Sequence, residues 1–70
     1  MSAGVITCNG RREEIPSESI VITELLALKG INAQTVVVEI NLDIIERALF
    51  STRAIRSGDT VEIVRFVGGG

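Results

Sequence analysis

The sequence predicts an α+β roll: a mixed sheet of four to five strands packed on one main helix, followed by a flexible C-terminal glycine tail. Three observations carry that reading. Residues rich in β-formers gather into short runs at 5–8, 35–40 and 60–67. One stretch between the first two, residues 20–29, has apolar side chains at helical spacing and a glycine stop. The 70 residues are 46% hydrophobic, much of it Ile, Val and Leu, which suffices for one small core and leaves no room for a second.

The elements follow in order. Val5, Ile6, Thr7 and Cys8 read as a strand. Asn9-Gly10 comes next, the strongest two-residue hairpin signal, because a type I′ turn needs positive φ at both positions. Residues 11–15 return as a second strand until Pro16, which lacks an N–H donor, ends it. Residues 16–19 are a turn. In the helical stretch Ile22, Leu25, Leu26 and Lys29 share a face, with Leu28 adding to the apolar side. Its start has two readings. Ser19 caps a helix whose first turn holds Ile20 and Val21, or those two residues stay extended and the helix begins near Ile22. Gly30 suits the left-handed position that closes a helix.

Residues 35–40, TVVVEI, are the plainest strand. With Val36, Val38 and Ile40 inward, Val37 and Glu39 face out, as in a sheet with one wet face. Asn41 breaks it. Residues 42–54 are irregular, with a brief strand at Ile44-Ile45 and a single helical turn over 46–50. Ser57-Gly58-Asp59 is a turn, and 60–67 is the final strand. This order matches the β-grasp, or ubiquitin-like, arrangement, with residues 1–67 as the domain and 68–70 as a tail projecting from it.

Composition excludes several functions. There is no His, Trp or Tyr, hence no imidazole for a metal or a nucleophile pair and little aromatic surface for stacking bases. The net charge of −2 argues against nucleic acid and anionic membranes, and Arg11 and Arg12 are followed at once by Glu13 and Glu14. The single cysteine, Cys8, cannot form an internal disulfide and fits a reducing cytoplasm. It shares strand parity with Ile6, which makes it a small buried hydrophobe. Asp43 and Glu46 read as a solvated face. No apolar run approaches transmembrane length, and the N-terminus lacks a signal peptide's basic start and long apolar core. The expectation is a cytoplasmic domain with no catalytic residues and no metal.

The carboxylate of Gly70 is the chemically distinctive group. Resonance and negative charge make a carboxylate a poor electrophile, and coupling it to AMP supplies a leaving group. An enzyme doing this threads the tail through a narrow channel, for which Gly68, Gly69 and Gly70 suit because no Cβ obstructs passage. A frayed, inert end is the alternative. Beside the tail, Val61 and Ile63 face the core while Val64 and Phe66 lie on the opposite parity with Glu62. Val64, Arg65, Phe66 and Val67 are therefore docking candidates. The competing reading has the strand twist so that Phe66 covers the core rim.

Glu24-Leu25-Leu26, Val38-Glu39-Ile40-Asn41 and above all "SGDTVEIVRFVGGG" at 57–70 resemble the ThiS sulfur carriers of thiamin biosynthesis. Size and element order agree along nearly the whole chain. The resemblance implies that a ThiF-like enzyme uses ATP to adenylate Gly70, that the end becomes a thiocarboxylate (1-thioglycine), and that a ThiG-like thiazole synthase receives the sulfur. It also implies a sulfur donor such as a cysteine desulfurase, no bound cofactor, and a monomer when free. One departure is the region Ile44-Ile45-Glu46-Arg47, where relatives often have Pro before the Arg, and it bears on the local loop shape. Rival readings are a MoaD-like subunit of molybdopterin synthase, another sulfur carrier, a ubiquitin-like modifier, and a binding domain with an inert tail. The short length and the "EIVRFVGGG" ending favour ThiS.

Overall fold

A computed structural model describes residues 3–66; Val67 and the glycine tail at 68–70 lie outside the described residues. The elements are β1 (Gly4–Cys8), β2 (Arg11–Ile15), β3 (Ser19–Val21), α1 (Ile22–Leu28), β4 (Val36–Ile40), β5 (Asp43–Ile45), β6 (Ala54–Arg56) and β7 (Thr60–Arg65). Short 3-10 turns at Ala33–Thr35 and Arg47–Leu49 precede β4 and follow β5. The main sheet has five strands in the order β2-β1-β7-β4-β5, and β3 pairs with β6 as a separate ribbon. Only β1 and β7 run parallel; the other pairs are antiparallel. This is the mixed sheet of the β-grasp roll.

Alternation builds the core. Ile6 and Cys8 on β1, Val36, Val38 and Ile40 on β4, and Val61 and Ile63 on β7 point to one side, where Ile22, Leu25 and Leu26 of α1 cover them. Ile15, Ile20, Ile45, Phe50 and Ile55 close the ends of the same cluster. Among the described residues no buried side-chain nitrogen or oxygen lacks a hydrogen-bond partner.

The helix takes the second of its two starts. Val21 is extended at φ −78, ψ 156, and no side chain caps the helix, so Ser19 is not its cap. The reason is the β3–β6 ribbon, in which Ile20 pairs with Ile55 and Val21 with Ala54. The ribbon also helps solve the capping problem, because the first N–H groups of a helix need acceptors from elsewhere. The N–H of Ile22 donates to Arg53 O at 3.2 Å and that of Thr23 to Phe50 O at 3.0 Å. Ser19 thus opens a strand rather than closing a turn, and β6 begins at Ala54, the last residue of the stretch read as irregular, and runs over Ile55 and Arg56, which the sequence reading assigned to no element. Leu28 is 66% exposed and does not join the apolar face; the helix ends there, Lys29 is still right-handed at φ −90, and Gly30 at φ 70 takes the expected left-handed position. The last strand stops at Arg65, leaving Phe66 beyond it.

Two turns use positive φ. Asn9 at φ 51 and Gly10 at φ 82 form the expected β1–β2 hairpin. Asn41 at φ 49 and Leu42 at φ 75 make the same kind of two-residue connection between β4 and β5, with a leucine where glycine would be unstrained.

Asn9 does more than turn the chain. Its N–H continues the parallel ladder to Val61 O at 2.9 Å. Its side chain then imitates a strand backbone, with Oδ1 accepting from Ile63 N at 2.7 Å and Nδ2 donating to Ile63 O at 3.1 Å. Strand β1 turns away at this point, and the carboxamide pairs a stretch of β7 that would otherwise lose its partner. Asn9→Gly keeps the turn conformation and deletes both bonds, so we expect a loss of about 1–3 kcal/mol in denaturant unfolding. A loss within error of zero would show that water replaces the carboxamide at no cost.

Candidate functional site

The candidate site is the end of β7 and the sheet face beside it. β7 lies in the middle of the sheet, between β1 and β4. Its register pairs Ile40 with Val61, Val38 with Ile63 and Val36 with Arg65 on the inner side, and Glu39 with Glu62 and Val37 with Val64 on the outer side. Val61 and Ile63 are buried as expected, and Val64 is 56% exposed. Arg65 has inward parity but sits where the core runs out, and it is exposed.

Phe66 is 51% exposed, which overturns the reading that its ring seals the core rim. It is nonetheless held. Its N–H donates to Thr35 O at 2.9 Å, one rung past the strand, and the Arg47 guanidinium carbon lies 5.8 Å from its ring centroid. Ile44, opposite Glu39 and 72% exposed, extends the apolar surface of the outer face through Val37 and Val64. Sequence reasoning placed Val37 outward but left Ile44 without a face; the two-residue turn at Asn41-Leu42 is the signal that fixes its register. Glu39 and Glu62 stand opposite one another among these apolar groups, a like-charged pair that costs some stability. Val67, Gly68, Gly69 and Gly70 lie outside the described residues.

The loop after β5 keeps a proline-like path without proline. Glu46 holds φ −65 and ψ 141, and −65 is about the value to which a proline ring locks φ. The departure at this position therefore leaves the backbone that delivers Arg47 in a proline-compatible conformation.

A model of the ThiS family matches residues 2–70. The chain belongs to the ThiS family. The crystal structure of a thiamine biosynthesis protein (ThiS) from Geobacter metallireducens superposes with a TM-score of 0.81 at 41% identity, covering 94% of this chain and 99% of that one. A solution structure of a thiamine biosynthesis protein from the same organism gives 0.76 at 37% identity over 94% and 87%. A thiazole synthase of Paramagnetospirillum magneticum is 35% identical over 65 residues, which is 93% of this chain and 20% of that protein. This ThiS-family chain therefore spans about a fifth of the length of the curated relative it matches.

Among the described residues of this ThiS-family chain, the other reactive groups lie apart from one another. Asp43 lies on β5 and Glu46 precedes a 3-10 turn; both are exposed, and no helix relates them. Among the described residues no cluster of His, Cys, Asp and Glu could hold a metal, and no helix is long and apolar enough to cross a membrane. Cys8 is 1% exposed. Burial pushes its thiol above the ordinary value of 9.0; Lys29 opposes this, while Glu13 and Glu62 reinforce it. Lys29 is itself raised above its ordinary 10.5, first by its hydrogen bond to Glu13, which it meets at 2.8 Å. Both raised groups favour the fold below their unfolded values and lose that contribution as the pH climbs past them. We therefore expect stability to fall above about pH 9, where the unfolded thiol ionises first. Native Cys8 should react with a thiol reagent at pH 8 only as fast as the protein opens. Reaction at the rate of a free thiol would contradict the burial.

Proposed function

We propose that the chain is a sulfur carrier of thiamin biosynthesis, a protein cosubstrate rather than an enzyme. The observation that carries this reading is the ThiS family match, which runs through the glycines to residue 70. A ThiF-like enzyme couples the Gly70 carboxylate to AMP with ATP and releases pyrophosphate. The terminal sulfur of a donor persulfide, such as that of a cysteine desulfurase, displaces AMP to form an acyl disulfide, and a second thiol cleaves this to the thiocarboxylate, itself ending in a disulfide with the donor thiol. A ThiG-like thiazole synthase then takes the sulfur into the thiazole ring. The chain binds no cofactor of its own, since ATP and the catalytic groups belong to the partners, and it works in the cytoplasm as a monomer when free.

The division of labour suits the fold. The folded body offers a docking face, Val64, Arg65 and Phe66 with Val67 beyond, and the reactive carboxylate is carried past it on Gly68 and Gly69, whose lack of Cβ fits passage through a narrow channel. The thiazole synthase relative lends support to the acceptor. A protein of that name contains a stretch of 65 residues 35% identical to this chain, so a segment similar to this chain lies there within one polypeptide named as a thiazole synthase. A covalent link of that kind fits a carrier that delivers to a thiazole synthase.

The test is to incubate the protein with the adenylating enzyme, ATP and a sulfur source, and then to locate the mass change by fragmentation. Intact mass does not suffice, because exchanging oxygen for sulfur nearly matches oxidation of Met1 or Cys8. An ATP-dependent change confined to Gly70 is the expected result. An unmodified Gly70 beside a partner active on another carrier would contradict it.

A further inference from the structure

The carrier chemistry proposed above takes place at Gly70 and draws on no group of Arg47, yet the Arg47 side chain is tied down at three points. Its Nε donates to Ala33 O at 3.1 Å and its Nη2 to Val36 O at 3.3 Å. Its guanidinium carbon lies 5.8 Å from the centre of the Phe66 ring. The two carbonyls flank Thr35, whose own carbonyl accepts the Phe66 N–H at 2.9 Å. One side chain thus braces the backbone on both sides of the residue that holds Phe66, and covers the ring of Phe66 as well. A guanidinium does this where an ammonium would not, because its planar fork can bridge two acceptors while its face meets a ring.

We infer that Arg47 is a positioning residue for the carrier reaction, fixing the backbone and ring of Phe66, the root from which the chain runs on to Gly70. The inference rests on the reading that a partner enzyme docks beside Phe66 and takes up Gly70. Its physical content is preorganisation. If only a fraction of free carriers holds the root as the partner needs it, apparent affinity falls by that fraction, while turnover of the docked complex is unaffected. Loss of Arg47 should therefore appear in KM rather than kcat.

The test has two arms, and the first needs no partner. In the free protein, Arg47→Met should speed hydrogen exchange of the Phe66 amide by about tenfold while leaving the Ile63 amide unchanged, since only the local opening is altered. A general loss of stability would accelerate both, and either that result or an unchanged Phe66 amide overturns the inference. Arg47→Lys keeps the charge without the bridge and should behave as the Met variant does. In the second arm, adenylation kinetics should show KM raised about tenfold with kcat retained. Placed on Phe66→Ala, the same substitution should raise KM by clearly less than tenfold, because the ring contact is already gone and only the brace on the backbone remains to be lost; a fully additive effect would mean that Arg47 does not act through Phe66. Failure of the wild-type chain to be adenylated would count against the carrier reading alone, because the exchange arm still decides whether Arg47 holds the root.

Discussion

The antiparallel ladder between β4 and β7 is the interaction on which the rest of the molecule depends. It places the last strand in the middle of the sheet, with β1 on its other side. Its register sends Val36, Val38, Ile40, Val61 and Ile63 to one face, and these meet Ile22, Leu25 and Leu26 in a single cluster. A shift of β7 by one residue would turn Val61 and Ile63 outward while β4 kept its own set inside, so the core specifies the register and the register specifies which side chains lie outside. Val64 is exposed for the same reason that Ile63 is buried. The outer face beside the chain's end is thus a by-product of folding the inner one.

A central strand also needs partners along its length, and the irregular parts of the chain supply them. Asn9 extends β1 with a side chain where the backbone has turned away. The β3–β6 ribbon holds Ile20 and Val21 extended, and the chain around it provides acceptors for the first N–H groups of the helix. Arg47, delivered by a loop with proline-like backbone at Glu46, braces the start of β4 against the far end of β7. These are local devices in a chain of 70 residues, where each hydrogen bond is a large share of a small stability.

Much of this was legible in the sequence, and the rest was not for physical reasons. Asn9-Gly10, the alternation of TVVVEI and the glycine after Lys29 are local signals, and each formed the element it predicted. The helix start was ambiguous because Ile20 and Val21 favour strand and tolerate helix; their pairing with Ala54 and Ile55, more than thirty positions away, decides it. Three residues, AIR, carry too little pattern to announce β6. The β4–β5 hairpin was half hidden because Leu42 occupies a positive-φ position that glycine would have marked. At the site, parity gave Val64 outward correctly. The exposure of Phe66 and its cover by Arg47 depend on where the sheet ends and on a loop nineteen residues earlier, which no periodicity records.

The central claim is a division between a folded body that docks and a tail that reacts. Its most direct test is a chain lacking residues 68–70, added as a competitor while the adenylating enzyme works on the full-length protein. The truncated chain should accept no AMP yet inhibit competitively, with an inhibition constant close to the KM of the intact carrier. Absence of inhibition at concentrations far above that KM would contradict the account, because it would place recognition in the glycines rather than in the face that β7 presents.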